Sequence, residues 1–284
     1  MEAEDGGLFE CGTRDRNRDV ACGDEVTFNP TSLDQGVIEA VSPRKSLLYR
    51  SDMNRQKVIA ANVTQVVFVL AAVPTYSEDL LSRCLVAAEG AGLKVVVVLN
   101  KADLGAPTEK AREELAWVTK LGYGLLTLSA KTNLAELQPY LHGEISVLVG
   151  QSGMGKSTIL NKLVPGALAK TNDFSESLDS GKHTTTSAKL YHLDGNSDLV
   201  DSPGLQEFGL FHLDDHELLH AFPELRAYHG LCRFNNCRHL QEPDCAVNNA
   251  VAEGVISKNR HGLYQRLVTM HTEWRQKLKA TGRG

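Results

Sequence analysis

Residues 145–164 read ISVLVGQSGMGKSTILNKLV: five strand-forming residues, a glycine-rich turn, then the start of an amphipathic helix. Positions 150–157 (GQSGMGKS) match GxxxxGK[ST], a loop whose backbone N–H groups, with the N-terminus of the following helix, surround phosphates. Gly150, Gln151, Ser152, Gly153, Met154 and Gly155 are expected to line that cradle, with Thr158 following on the helix. Lys156 is expected to reach the β- and γ-phosphates of a nucleotide, and the Ser157 hydroxyl to ligate Mg²⁺. The bland reading, a glycine turn with a chance Lys-Ser, does not explain why the turn sits between a strand and a helix.

Three shorter motifs stand around this loop, each after an apolar strand-like run. Residues 100–103 read NKAD after VVVVL, and bring Asn100, Lys101 and Asp103 into the candidate site. A carboxylate at Asp103 accepts from both N1–H and the exocyclic amine of guanine, a donor pair that adenine lacks, so it selects GTP over ATP. Residues 129–131 read SAK: Ser129, Ala130 and Lys131, where a backbone N–H can meet guanine O6. Residues 201–204 read DSPG. Asp201 would hold Mg²⁺ through water, and the Gly204 N–H would face the γ-phosphate. Each short motif alone is weak. All four at carboxyl ends of strands place them on the edge where open α/β sheets bind ligands.

Their order is unusual. A Ras-like GTPase runs phosphate loop, DxxG, NKxD, SAK; here NKAD and SAK come first. The reading is a circularly permuted GTPase domain. Permutation sends the segment after DSPG directly into the C-terminal region, a lever for a nucleotide-dependent switch. Between the phosphate loop and DSPG, residues 170–187 (KTNDFSESLDSGKHTTTS) are polar and turn-rich, as a first switch loop would be. Thr186, with Thr185 second, is expected to complete the Mg²⁺ shell. Leu205 stands where the water-orienting glutamine of Ras-like enzymes would be, which leaves His183 as the candidate to position the attacking water; a solvated loop histidine is its bland alternative.

Hydrophobic residues make up 42% and charged residues 23% of the 284, which excludes wholesale disorder. No apolar run reaches the ~18 residues needed to span a bilayer, and the acidic N-terminus lacks a signal pattern, so a cytoplasmic protein without membrane partners is expected. Residues 1–57 carry a net charge of −3, residues 58–222 −7, and residues 223–284 +5. The basic tail is the one part that net charge alone would draw to a polyanion. Short apolar stretches at 20–28, 36–41 and 46–49 predict a small antiparallel β module. Runs at 63–72, 93–99, 125–129, 145–149, 188–192 and 198–201 predict a parallel sheet, with helices at 77–92 and 108–121 between strands. A helical tail is predicted over 257–280.

Cys232, Cys237, His239 and Cys245 form C-x₄-C-x-H-x₅-C. Three thiolates and an imidazole suit one structural Zn²⁺ per chain in a closed tetrahedral site, and the thin apolar content around them makes metal a source of folding energy. His220 and His229 are nearby competitors without comparable spacing. Cys11, Cys22 and Cys84 are scattered and read as free thiols.

Taken in order, GVIEAVSPRKSLLYR, NKADL, SAK, GQSGMGKST, GKHTTT, DSPGLQEFGL and the cysteine–histidine cluster resemble the circularly permuted, small-subunit-dependent GTPase A family of bacteria, the RsgA (YjeQ) family, over nearly the whole chain. The resemblance implies three parts: an N-terminal OB-fold barrel (1–57), a permuted GTPase domain (58–222) and a zinc-binding helical domain (223–284). It implies a GTP hydrolase in late maturation of the 30S ribosomal subunit, bound in the GTP state, released on hydrolysis and stimulated by the ribosome. It also implies contact of the OB-fold with 16S rRNA; a monomer is expected. The N-terminus departs from the pattern: it is expected to lack two opening barrel strands, and the OB-fold is expected to be incomplete. Two alternatives stand beside this reading, a GTP-controlled RNA- or protein-binding switch with only slow hydrolysis, and an ATPase with a fortuitous NKAD.

Overall fold

The computed structural model describes residues 1–14, 20–51, 56–167, 188–202, 208 and 210–280. Its centre is a six-stranded sheet built from β6 (Gln65–Ala71), β7 (Lys94–Asn100), β8 (Gly124–Thr127), β9 (Ile145–Val149), β10 (Lys189–Asp194) and β11 (Ser197–Asp201). The spatial order is β10-β11-β9-β6-β7-β8. All neighbours are parallel except β10 against β11.

The continuous apolar runs follow from burial of both faces. On β6, Val66, Phe68 and Leu70 belong to one cluster of buried side chains, and Val67, Val69 and Ala71 to another on the opposite face. The same alternation splits Val95, Val97 and Leu99 of β7 from Val96 and Val98. A strand with two dry faces is apolar through its middle, and its buried polar residues fall at the ends with partners: Gln65 opens β6 and donates to the Tyr140 carbonyl, and Asn100 closes β7.

Helix α1 (Glu78–Gly90) covers the first face; Ser77 caps it by accepting from the Leu80 N–H at 3.2 Å. The predicted helix 108–121 is two pieces, α2 (Ala106–Glu114) and α3 (Ala116–Lys120). Leu115 breaks it, with φ −87° and ψ 3°, its side chain fully buried and its carbonyl accepting from the Val118 N–H in a tighter turn. The second face carries α4 (Gln138–Leu141) and α5 (Lys156–Leu163), through Leu141, Ile159 and Leu160.

Before the sheet, β1 (Glu10–Thr13), β2 (Val26–Pro30) and β3 (Gln35–Val41) form a three-stranded sheet in the order β1-β3-β2, and β4 (Leu47–Ser51) pairs antiparallel with β5 (Gln56–Ala61). The incompleteness expected of this module takes that form: among the described residues its two ladders do not join into a closed barrel. The predicted strand at 20–28 is shifted to Val26–Pro30, because residues 21–24 turn back on themselves, with the Asp24 N–H donating to the Ala21 carbonyl.

After the sheet come α6 (Asp215–His220), α7 (Pro223–Arg226), α8 (Ala246–Ala252) and α9 (Lys258–Ala280). Asp214 and Glu217 form a reciprocal capping box at the start of α6. Leu263, Tyr264, Leu267 and Val268 of α9 share a cluster with Leu81, Leu85 and Ala88 of α1, so the tail helix docks on the GTPase-like part rather than standing apart. Among the described residues, no helix is long and apolar enough to cross a membrane.

Candidate nucleotide and metal sites

All the described motif residues gather at the carboxyl edge of the sheet. The phosphate loop leaves β9 at Gly150, whose φ is 143°. A Cβ there would stand 2.1 Å from the Val69 carbonyl oxygen, so only glycine lets the loop pass this close to β6. Gly155 closes the loop and caps α5 with φ 98°; its Cβ would fall 2.2 Å from the Asn100 amide nitrogen. Met154 is buried in the second-face cluster, so its backbone alone can serve a ligand. Ser152, Ser157 and Thr158 are exposed.

Asn100, at the end of β7 and 2% exposed, is the tie between loops. Its Nδ2 donates to the Met154 carbonyl at 2.9 Å, and its Oδ1 accepts from the Ala130 N–H at 2.9 Å. One buried amide therefore fixes the phosphate loop and the SAK loop against each other. Asp103 sits on the short helix Ala102–Leu104. Its Oδ1 accepts from the Ser129 hydroxyl at 2.6 Å and its Oδ2 faces the Lys131 ammonium at 3.3 Å. The Ser129 hydrogen bond, aided by Lys131, holds this carboxyl below the usual carboxylate range. Asp103 is thereby ionised and oriented, the state in which it can accept two hydrogen bonds from a base.

Lys156 donates from Nζ to the Gly150 and Gln151 carbonyls at 2.6 and 2.7 Å. Burial lowers its pKa, and the negative charge of Asp201 works in the opposite sense. Asp201, at the end of β11, is raised by burial, with Lys156 opposing the rise. A cation and an anion are thus held across the same half-buried space, each partly compensating the other. Between the SAK loop and α5 lies a groove of about 570 Å³, lined by Ala130, Lys131, Ser157, Thr158, Asn161 and Lys162. Its size is that of small-molecule pockets. His183, Thr185, Thr186 and Gly204, with Leu205, lie outside the described residues.

Several supporting contacts, some made by motif residues themselves, are not visible in the motifs. Gln151 accepts at Oε1 from the Ser77 N–H at 2.7 Å, seating the phosphate loop on the start of α1. Lys101, in a left-handed conformation, donates to the Val73 carbonyl at 2.8 Å. Buried Thr108 donates to the Lys101 carbonyl at 3.1 Å. Lys162 donates to the Lys131 and Thr132 carbonyls at 2.9 and 2.6 Å. A threonine five residues after NKAD carries no sequence signal of this; only the turn into α2 aims it back.

The second site is the cysteine–histidine cluster. The four ligand atoms of Cys232, Cys237, His239 and Cys245 lie within 4.8 Å of one another. His239 Nδ1 is 3.5, 3.6 and 3.4 Å from the sulfurs of Cys232, Cys237 and Cys245, and Cys232 Sγ is 3.9 Å from Cys245 Sγ. A tetrahedral Zn²⁺ with ordinary Zn–S and Zn–N bonds has N···S edges of about 3.6 Å and S···S edges of about 3.8 Å. The residues fit that ion. His239 reaches the cluster from a left-handed backbone position, φ 59°, and its carbonyl accepts from His261 of α9 at 2.8 Å. Burial pushes the Cys237 thiol up to about 12 and Cys245 upward as well, so a bound cation is what would make these sulfurs thiolates at neutral pH.

A family model described as RsgA GTPase matches residues 41–211. The chain is similar to the small ribosomal subunit biogenesis GTPase RsgA of Nitrosospira multiformis, 51% identical over 268 residues that cover 94% of this chain and 86% of that protein. The protein of the same name from Ralstonia pickettii is 48% identical over 98% of this chain and 90% of its own length. Among solved structures, YjeQ from Thermotoga maritima is similar with a TM-score of 0.69 and 34% identity, covering 95% of this chain and 91% of that one. YloQ, titled a circularly permuted GTPase, gives a TM-score of 0.67 at 27% identity, with coverages of 95% and 87%.

Proposed function

The chain belongs to the RsgA GTPase family, and from that premise we propose how its residues perform the family's reaction. It is a GTP hydrolase of small ribosomal subunit biogenesis. The observation that carries the base assignment is the Asp103 carboxylate, ionised and aimed by Ser129 and Lys131 at the strand edge that also holds the phosphate loop. Asn100, Lys101, Asp103 and the 129–131 loop take the guanine; residues 150–158 and the Gly204 N–H take the phosphates. Lys156 turns from the Gly150 and Gln151 carbonyls to the β- and γ-phosphates. Ser157 and Thr186 or Thr185 would hold the Mg²⁺ bound with GTP, with Asp201 acting through water, and that ion would supply charge neutralisation at the phosphates.

Water positioning falls to His183. The protein acts in the cytoplasm as a monomer, in late maturation of the 30S subunit. It binds in the GTP state, contacts 16S rRNA through the N-terminal β module, and leaves after hydrolysis. We divide it at 1–57, 58–222 and 223–284, with β5 running through the first boundary. Cys232, Cys237, His239 and Cys245 hold one structural Zn²⁺. The test is GTP turnover with and without purified 30S subunits, for the wild type and for His183→Ala. Strong acceleration of the wild type, mostly lost in the variant with GTP affinity unchanged, is the expected pattern of a contact made only in the transition state. Equal turnover with and without subunits would refute the ribosome-stimulated cycle.

A further inference from the structure

Three imidazoles outside the four-ligand cluster share one patch. His216 and His220 stand one helical turn apart on α6, and His229 follows α7, three residues before Cys232. Ring centroids are 4.2 Å apart for His216–His220, 5.2 Å for His220–His229 and 5.9 Å for His216–His229. One ring nitrogen from each lies within 4.8 Å of the others. His220 Nε2 is buried and has no hydrogen-bond partner among the described residues.

A buried polar nitrogen without a partner costs free energy, and each such atom calls for an explanation. Stacked imidazoles gain little from one another, and they repel once protonated. Three neutral imidazoles converging on one point are a donor set for borderline transition metals. His216 and His229 are both exposed, which leaves room for their rings to turn toward one ion shared with His220. The nearest fixed cation, Arg226, is shared between the His220 carbonyl and the Glu89 carboxylate at 3.4 and 3.5 Å, so its charge is offset.

We propose that His216, His220 and His229 form a second divalent transition-metal site, which takes Zn²⁺ through one nitrogen of each ring with its remaining position open to water. The site is separate from the Cys₃His cluster, whose softer thiolates fill first. An ion there clamps α6 to the loop that feeds Cys232. Helix α6 is already bound to the tail, since Asp215 pairs with Arg275 of α9 at 2.7 Å and faces Arg238 of the cysteine loop at 3.6 Å. The metal would complete a three-way fastening of the helix that follows the DSPG segment.

The test uses the full-length protein with its cysteine cluster already loaded with one Zn²⁺ per chain, checked by elemental analysis. Co²⁺ is then titrated in and followed by visible absorption. The expected result is one further equivalent, with ligand-field bands and no thiolate-to-cobalt charge-transfer band. The double variant His216→Asn/His229→Asn, altered only at exposed positions, should lose at least about tenfold in affinity for that equivalent while keeping its Zn²⁺. Saturation at one metal per chain would overturn the proposal, as would undiminished Co²⁺ binding in the variant. A charge-transfer band on the second equivalent would also overturn it, because thiolates would then be holding the ion.

Discussion

Replacing Arg260 by methionine should weaken the attachment of the tail helix more than any surface change could. Arg260 is 1% exposed at the start of α9. Its Nε lies 2.6 Å from Glu224 Oε1 and its Nη2 3.2 Å from Oε2, while Nη1 donates to the Ser82 carbonyl of α1 at 3.2 Å. The guanidinium also sits 4.6 Å from the Phe222 ring centroid and 5.7 Å from that of Trp117. At a 2.6 Å separation an effective dielectric of ~20 gives roughly 6 kcal/mol of attraction, most of which desolvation takes back. What an experiment sees on removing one partner is the cost of leaving Glu224 buried and unpaired, about 3–5 kcal/mol. That is a large share of the ~5–15 kcal/mol that holds a typical domain folded.

Urea unfolding followed by tryptophan fluorescence reads the effect, because the two tryptophans of the chain lie on α3 and α9, at positions 117 and 274. Arg260→Met should lower the midpoint by the equivalent of about 3–5 kcal/mol. The double variant Arg260→Met/Glu224→Met removes both charges and should recover most of the loss, since a buried pair exchanged for apolar side chains of similar volume is often neutral. A single variant within about 1 kcal/mol of wild type, or a double variant no better than the single, would refute the argument.

Asp103→Asn should weaken GTP and favour xanthosine triphosphate, read by competition against labelled GDP; an unchanged GTP affinity would remove Asp103 from the base. Because the Ser129 hydrogen bond lowers the Asp103 pKa, GTP selection should persist as pH falls to the ordinary carboxylate range and fail only below it. Gly155→Ala should drive a Cβ into the Asn100 amide and cut GDP affinity by tenfold or more, about 1.4 kcal/mol, with the circular dichroism spectrum unchanged. Stripping Zn²⁺ with a strong chelator should raise hydrogen exchange across 232–252 while GDP binding at 150–157 persists; parallel loss of both would mean that the two regions unfold as one unit.

The phosphate loop was readable because its constraints are local. A strand, glycines where a Cβ would fall about 2.1 Å from the Val69 carbonyl or 2.2 Å from the Asn100 amide, and a helix start leave little freedom. The β6 and β7 runs were equally plain, since burial of both faces makes the middle of each strand continuously apolar. The break at Leu115 was hidden because apolar spacing continues through it; the turn is imposed by what Leu115 packs against. Strand β5 was missed because its reason to exist is its partner β4, not its own composition. Arg260 reads as a solvated charge in any sequence window, and only the fold puts Glu224 and Ser82 beside it. Of the three histidines, sequence spacing brings out only His220 and His229, as competitors for the zinc cluster, and not His216, since their convergence depends on α6 and α7 packing together.

The segment after Asp201 explains why permutation matters mechanically. Phe208, Leu210 and Leu213 are all buried in the cluster that holds α1 and α9. Leu213 packs on Gly90 of α1, where a Cβ would come within 2.9 Å of it. His212 lies 5.1 Å from the Tyr49 ring of the N-terminal module, and Phe211 lies 5.3 and 5.5 Å from His271 and Trp274 of α9. One short stretch therefore touches all three parts of the chain. Unseating Phe208 and Leu210 would cost about 3–6 kcal/mol at ~1.5–3 kcal/mol per buried side chain. Coupling between sites in switching proteins is typically only about 1–3 kcal/mol. Loss of the γ-phosphate is thus too weak to dissolve this junction, and Phe208 begins only seven residues beyond Asp201, a reach of at most ~25 Å. A change at the nucleotide that reaches the C-terminal region is therefore expected to move the junction as a unit, with α6 and the metal-binding end, rather than to melt it.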